Sequence, residues 1–426
     1  LQQNTVILTQ IFKDLIERLI PFLILAIVVE LYTYRTVKIA FENKTVPKLI
    51  YLITTISIIG IIVYQAFNLK LSAGQTFGFQ LMVGLFVLLY LPKFFVFVPV
   101  FFQDVVNGFI ALFNYTVRPK KVERYFPERR TFVAKAALAL AAVPFLGVIH
   151  GISLGRFNFH LHLKKIAFGD LPSAFDGLKI LQISDLHTGS ILSRDRDKIV
   201  EAVKLINAQN ADLILFTGDL VNNFGDEVDQ WIPILNEIKQ APFGNFAVMG
   251  NHDYGEYTQW ESEAAKRANL EKIKQAYAKI GFHLLLNEHV ALEKNGASIQ
   301  LVGVENWGHR FIQLADLPKA TKGIDAKDFK ILMTHDPSHW EHVIKNDPLH
   351  YHLTFSGHTH GMQMGIEVPD LGIKWSPSQY IYKQWAGLYE NAGRYLYVNR
   401  GLGYHFFPGR IGIWPEITVI ELHKKD

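Results

Sequence analysis

The sequence predicts a layered α/β domain, with one mixed sheet or two facing sheets, behind an α-helical region that spans a membrane. Three observations carry this expectation. Uncharged stretches long enough to cross a bilayer crowd the first third of the chain. The remainder alternates short apolar runs with helical stretches. Several of those runs end in loops that carry His, Asp and Asn.

The 426 residues leave room for two or three folded units, and the net charge of +4 is small for that length. The basic residues gather beside the apolar spans instead of along one binding face, so nucleic acid is not an expected partner. The chain has no cysteine, which excludes disulfides and thiolate metal sites but does not fix the compartment. It does not begin with Met, as expected of a trimmed or processed chain.

A bilayer core about 30 Å thick needs about 20 mostly apolar residues of helix. Residues 49–67, 71–92 and 136–155 meet that requirement without a charge. Soluble helices rarely stay uncharged on every side for so long. Residues 19–34 read as a first span despite Glu30, with an interfacial amphipathic helix as the alternative. The expected division is a transmembrane region of about four helices over 1–156 and a second domain over 157–426. Arg35, Lys38, Lys44 and Lys48 follow the first span. Arg118, Lys120, Lys121, Arg124, Arg129, Arg130 and Lys135 precede the last, and only Lys70 lies between the second and third. Four spans put both basic links in the cytoplasm and the C-terminal domain on the outer, periplasmic side. Residues 94–117 carry Asp104 and are expected to prolong the third helix along the interface, since a fifth span would push one basic link outside. Arg129-Arg130 before an Ala/Leu run resembles a twin-arginine export signal, and either that or a simple helix anchor sends the domain outward.

In the second domain, apolar runs at 178–184, 211–217, 245–249, 298–304, 329–334, 352–356, 394–399 and 416–422 read as strands, and 194–209, 228–240 and 262–280 as helices. Nearly all-apolar strands of this length are buried on both faces. Polar groups at their C-terminal ends converge on one crevice. Those ends carry Asp185 and His187, then Asp219, Asn251, His335, and finally His358 and His360. Carboxylate, imidazole and amide oxygen are ligands for hard or borderline divalent metals. Residues i and i+2 of an extended segment point the same way, so Asp185/His187 and His358/His360 each offer two ligands from one loop. Asp219 can bridge two ions, and the set suits a pair about 3.5–4 Å apart. Each motif alone is more often a loop cap; their coincidence at successive strand ends is the signal.

The order Asp-Leu-His, Gly-Asp-Leu-Val-Asn, Gly-Asn-His-Asp, Thr-His-Asp, Gly-His-Thr-His resembles the calcineurin-like metallophosphoesterase superfamily, over roughly 178–422. Arg-Gly-Leu-Gly at 400–403 and Pro-Glu-Ile-Thr-Val at 415–419 look like its membrane-anchored bacterial branch. The resemblance implies a four-layer sandwich, two central mixed sheets flanked by helices. It assigns Asp185, His187, Asp219 and His360 to one ion and Asp219, Asn251, His335 and His358 to the other, with Mn2+ the usual metal and Fe or Zn as alternatives. Many members carry an acidic residue three places after the bridging Asp, where this chain has Asn222. That departure bears on what orients the ligands and not on the ligands themselves.

The implied reaction is hydrolysis of a phosphate ester, with two ions binding the phosphate oxygens and acidifying a water for in-line attack. His252, next to Asn251, would stabilise charge or protonate the leaving group, and Asp253 would orient its imidazole. Gly361–Gln363 and Asn306-Trp307 are expected to face the substrate. His160 and His162 read as exposed rings on an edge strand, and the Pro-, Gly- and aromatic-rich stretch 365–387 as a lid. The leading substrate class is a phosphorylated lipid or lipid-linked nucleotide. One hydrolase of the superfamily cleaves UDP-diacylglucosamine, but that substrate is cytoplasmic and conflicts with the orientation above. A tethered phosphodiesterase or phosphatase for soluble esters is the second reading, and a non-catalytic membrane binding module the third. Oligomeric state is not legible.

Overall fold

The computed structural model describes residues 21, 24–42, 44–68, 74–117 and 127–425. The chain divides into two compact units. One takes Leu1–Asn68 and Leu81–Ile149; the other takes Leu69–Gln80 and His150–Asp426.

In the first unit, helix α1 covers residues 24–40, α2 Thr45–Phe67, α3 Phe77–Val117 and α4 Pro127–Ser153. Among the described residues, three helical stretches are long and apolar enough to cross a membrane: Thr45–Phe67, Phe77–Phe113 and Arg129–Ser153. The start of the first expected span lies outside the described residues, as do Lys70 and the basic residues Arg118, Lys120, Lys121 and Arg124. The third expected span starts late, because α3 begins at Phe77. It then runs unbroken through 94–117 past Pro92 and Pro99. At 41 residues it is about 60 Å long, twice the thickness of a bilayer core. Glu30, the charge that marked the first span as doubtful, is paired. Lys93 Nζ stands 2.6 Å from its carboxylate and 3.0 Å from the Thr55 hydroxyl, and Tyr51 donates to it at 2.7 Å. An ionisable side chain in an apolar bundle is tolerable in such company.

The second unit is a sandwich of two six-stranded sheets. The strands are β1 (His160–Phe168), β2 (Leu178–Ile183), β3 (Leu213–Phe216), β4 (Asn245–Ala247), β5 (His283–Leu284), β6 (Glu288–Lys294), β7 (Ala297–Gly303), β8 (Lys330–Met333), β9 (Leu353–Ser356), β10 (Ile366–Val368), β11 (Ile373–Trp375), β12 (Gly387–Asn391), β13 (Arg394–Val398) and β14 (Glu416–Lys424). The first sheet runs β1-β14-β2-β3-β4-β5 and the second β12-β13-β9-β8-β7-β6; β10 and β11 form a separate hairpin. β2, β3 and β4 are mutually parallel, as are β7, β8, β9 and β13, so their carboxyl ends share an edge within each sheet. Ile180, Leu213, Leu215 and Ile420 of one sheet meet Ile299, Ile331, Leu353 and Phe355 of the other in the central core. Helices α5 (Arg196–Ala208), α6 (Ile232–Leu235) and α7 (Glu263–Lys279) cover the outer face of the first sheet; α8 (Leu317–Ala320) and α9 (Ser338–His342) lie on the second. This is the four-layer α/β arrangement that the resemblance implies.

α5 and α7 fall where the periodicity predicts, α7 with Ser262 capping Ala265 N–H at 3.1 Å. The helix expected over 228–240 shrinks to Ile232–Leu235. Its C-terminal end is drawn into a loop: Asn207 donates to Glu237 O and accepts from Lys239 N–H, both at 2.8 Å. β1 is an edge strand, with His160 exposed and His162 half-buried.

One ionic cluster crosses from sheet to sheet. Glu416 of β14, fully buried, accepts from Tyr397 of β13 at 2.6 Å, from Arg400 N–H at 3.1 Å and from the Arg400 guanidinium. Arg400 holds the carboxyl at about 2 against the opposing effect of burial. Removing one partner of a buried pair leaves the other uncompensated. Glu416→Ala is expected to cost about 3–5 kcal/mol of stability, read as a lowered thermal unfolding midpoint. A variant as stable as the parent would remove this cluster from the account of sheet alignment.

Candidate metal centre

The candidate ligands stand on loops at the carboxyl ends of β2, β3, β4, β8 and β9. Asp185, His187, Asp219, His358 and His360 all have positive φ, between 49° and 72°. Such left-handed backbone costs a non-glycine residue energy and concentrates at functional sites, where the surrounding structure enforces it. The loops also approach one another closely. A Cβ on Gly250 would overlap the Asp219 carboxylate, and one on Gly357 would overlap Asp185 and Ser184. Glycine at those two positions is a condition of the geometry.

Two groups result. Asp185, His187 and His360 offer ligand atoms within 4.8 Å of one another, and so do Asp219, His335 and His358. Asp219 Oδ2 stands 3.5 Å from His187 Nε2 and 3.1 Å from His335 Nε2, so it faces both groups. Asn251 Oδ1 lies 2.8 Å from His358 Nδ1, held there because its amide nitrogen donates to Tyr257 at 2.7 Å. All seven candidate ligands therefore meet in one place.

In two of the rings the far nitrogen faces an acceptor for its proton, whereas His360 Nδ1 faces the Arg410 guanidinium at 3.1 Å. His187 Nδ1 faces Asn222 Oδ1 at 3.0 Å, and His335 Nδ1 faces Thr217 O at 2.7 Å. An acceptor there fixes the proton on Nδ1 and leaves the Nε2 lone pair for a cation. Asn222 thus orients His187. Burial drives His187 down to about 3 and lowers His358 and His360, keeping those rings in the neutral, ligating form. Burial raises Asp185 to about 7, and the nearby Asp219 carboxylate adds to it after a lowering by His335. Burial opposes ionisation of both Asp219 and His335, yet their mutual attraction wins: Asp219 falls well below its ordinary range and His335 rises to about 10. A pair of carboxylates this close demands positive charge beside it.

His360 Nε2 decides whether a metal fits. It is buried, has no hydrogen-bond partner among the described residues, and stands 3.4 Å from the Asp185 carboxylate. An orphaned imidazole nitrogen facing a carboxylate is costly in a protein interior, and a divalent cation would satisfy both.

The family comparison agrees. Residues 178–362 match the model of the calcineurin-like phosphoesterases, and 16–156 match that of the probable calcineurin-like phosphoesterase transmembrane domain. A metallophosphoesterase of Bacillus subtilis, YkuE, is 31% identical over 307 residues, 71% of this chain and 98% of its own length. The chain belongs to the calcineurin-like metallophosphoesterases. A Helicobacter pylori metallophosphoesterase is 29% identical over 376 residues, covering 85% of this chain and 90% of its own. A zebrafish (Danio rerio) transmembrane protein with a metallophosphoesterase domain is 28% identical over 260 residues, 59% of this chain and 54% of its own. The protein is thus a phosphoester hydrolase with a transmembrane domain, of a family that uses divalent metals.

Within this metallophosphoesterase, His252 sits at the rim of the ligand groups, its N–H bonded to Asp219 Oδ1 at 2.9 Å and its Nδ1 2.8 Å from Asn222 O. Asp253 stands elsewhere than expected. It does not orient the imidazole; the Asn222 carbonyl does. The Asp253 carboxylate instead accepts from the N–H groups of Gly250, Asp219 and Leu220 at 2.9–3.0 Å and from Tyr277 at 2.9 Å. Being two residues past Asn251 turned it inward, where it ties the Asp219 and Asn251 loops together. Gln363 and Asn306 also turn away from open space. Gln363 braces the 405–409 loop through Phe407 O and Gly409 O, and Asn306 holds Ile312 O.

Three residues were not foreseen. His405 lays its ring 4.5 Å from His187 and 4.3 Å from His252, forming a third imidazole group with them. Gln75 reaches it at 2.8 Å and also accepts from Ser190 Oγ at 3.0 Å. Arg410 is buried and donates to Gly401 O, pinning the loop after β13. His405 follows no apolar run, and Gln75 lies in the segment before α3, so strand-end logic passes over both. Tyr382, from the expected lid, stands 2.7 Å from His358 Nε2.

Asn222→Ala should lower metal affinity about 10–100-fold, the usual effect of removing a partner that orients a ligating histidine. Metal titration of the purified protein checks this; an unchanged affinity would leave the His187–Asn222 contact without consequence.

Proposed function

We propose that the protein is a dinuclear phosphoesterase acting on a phosphorylated lipid or lipid-linked nucleotide at the outer face of a membrane, with Mn2+, or else Fe or Zn, as the two ions. The observation that carries the dinuclear reading is Asp219, whose Oδ2 lies between His187 and His335 and so can belong to both ligand groups. On this reading Asp185, His187, Asp219 and His360 hold one ion, and Asp219, Asn251, His335 and His358 the other.

The ions would supply charge for the phosphate oxygens and a water acid enough to attack phosphorus. The chain's own residues do the rest. His252, with its Nδ1 proton committed to Asn222 O, presents Nε2 to the substrate; as imidazolium it would carry a second proton there, to meet the developing charge or to pass to the leaving oxygen. Asp253 acts through the backbone it holds. Tyr257 and Phe311 flank the centre, at ring distances of 4.4 Å from His252 and 5.0 Å from His358. With Arg310, Ile312 and Glu256 they line a cavity of about 340 Å³. The lining sets the apolar faces of Tyr257, Phe311 and Ile312 beside one guanidinium and one carboxylate, and its apolar part would suit an ester with an apolar leaving side, which supports the lipid-phosphate reading.

Multi-pass topology with the catalytic unit outside is supported by the chain path. Residues 74–80, which link α2 to α3, and His150–Ser153, which end α4, both belong to the catalytic unit. The link between the second and third spans and the catalytic unit would then share one side of the membrane, opposite the basic links.

Chelation should abolish hydrolysis of a chromogenic phosphodiester and Mn2+ should restore it, while Asp219→Asn stays inactive after Mn2+ is added; hydrolysis that survives chelation would end the metal reading. His252→Ala should keep its metal and lose about 10²–10⁴-fold in turnover, whereas metal loss would make His252 a structural residue. A phosphatase reporter at the C-terminus tests sidedness, and turnover of phospholipid-derived against soluble esters tests substrate class.

A further inference from the structure

We propose that the β10–β11 hairpin is a lipid-contacting element, lying with its apolar face in the headgroup region of the membrane where α4 ends. The inference rests on the reading of α4 as a membrane span.

The hairpin has its polarity reversed. Ile366 pairs with Trp375 and Val368 with Ile373, and side chains on a strand alternate faces, so these four share one face. That face is outward: Ile366 is 54% exposed, Ile373 44%, Trp375 40% and Val368 36%, and Leu371 at the tip reaches 71%. The alternate pair, Glu367 and Lys374, faces the domain. Glu367 receives Arg400 at 2.7 and 2.9 Å. The Lys374 ammonium donates to Ala386 O and lies 4.8 Å over the Trp385 ring. A hairpin on a water-exposed surface puts its apolar side in and its charges out. Here Glu367 and the Lys374 ammonium bond toward the domain, with part of Lys374 and Asp370 at the tip left exposed, and the four apolar side chains form a face left for something other than water.

The position of its root says what that is. Gly365, just before β10, donates to Ile411 O at 2.9 Å, and Ile411 N–H returns to Gln363 O at 2.8 Å. The neighbouring Arg410 N–H binds Gly151 O at 3.1 Å, and Trp414 packs on His150 with rings 5.7 Å apart. Gly151 and His150 form the last turn of α4, whose apolar stretch runs Arg129–Ser153. The hairpin is thus rooted against the residues with which the chain would leave the bilayer. Leu154, 64% exposed, extends the apolar surface from the helix end, and Tyr380 and Ile381, 76% and 53% exposed, extend it after β11. Trp and Tyr favour that interfacial level. Two strands alone leave unpaired backbone edges, which hydrocarbon does not tolerate, so the hairpin rests at the headgroup boundary and does not enter the core. Tyr382 follows immediately and bonds to His358, so the contact would bring a lipid-borne phosphate ester to the metal centre along the hairpin.

The chain has no cysteine, so a single nitroxide can be placed anywhere. In full-length protein in phosphatidylethanolamine/phosphatidylglycerol vesicles, a label on Leu371→Cys or Val368→Cys should be relaxed by oxygen, shielded from a water-soluble nickel chelate, and placed about 5–10 Å below the headgroups. A label on Lys327→Cys, before β8 at the opposite ends of the strands, should show the reverse. Nickel accessibility at 371 equal to that at 327 would overturn the proposal. So would shielding from both relaxants together with dipolar broadening between copies, which would mean that a second chain covers the face. Depth is read without turnover, so inactivity on lipid esters would count against the substrate reading and leave the hairpin assignment standing.

Discussion

The Asp219 carboxylate is the constraint on which the rest of the catalytic unit depends. One oxygen faces His187 and His335, and the other receives the His252 N–H. To stand there the residue accepts a left-handed backbone and requires glycine at 250, while its own N–H and the next are tied to Asp253. A carboxylate buried this deeply survives ionised only because imidazoles surround it. Of these imidazoles His335 takes the charge that balances Asp219, while burial keeps His187 neutral, and the far nitrogens of both face fixed acceptors. Charge balance and ligand orientation are thus one problem, solved once by five loops.

Those loops can be rigid because the floor beneath them is. Directly under the centre the two sheets are joined by polar contacts as well as by apolar packing. Gln182 of β2 donates to Ser356 O of β9 at 2.9 Å, Asn399 reaches Thr418 at 3.2 Å, and Glu416 binds Tyr397 and Arg400. Apolar packing alone tolerates sliding and repacking, whereas buried hydrogen bonds with one satisfied geometry do not. This polar layer sets one sheet's strand ends against the other's, so Asp185 and Asp219 of the first meet His335 and His358 of the second.

What could be read in advance follows from that design. β2, β3, β7, β8, β9, β13 and β14 are apolar runs buried on both sides, and composition alone marks them. The ligands stand at strand ends in short motifs, so they too were legible. β6, β10, β11 and β12 carry half-exposed or mixed patterns that do not separate from loops. Asp253 shows the limit most clearly. Its neighbours in Gly-Asn-His-Asp suggested a partner for His252, but a side chain's direction out of a one-turn helix is set by tertiary bonding, and five donors draw it inward. His405 and Gln75 were illegible for another reason: they reach the site from segments with no periodicity, one of them just before α3.

Gln75 also shows why the segment between α2 and α3 counts with the catalytic unit. Its side chain touches His405 and Ser190, and Ser190 exchanges hydrogen bonds with Asn222, the residue that orients His187. Gln80 adds a bond to Ser190 O at 2.7 Å. A chain of four side chains therefore runs from the segment between α2 and α3 to a candidate metal ligand. A domain merely tethered by its N-terminal helix would need no such chain. The carboxamide of Gln75 suits the place because it donates to one neighbour and accepts from another, while adding no charge beside the buried centre.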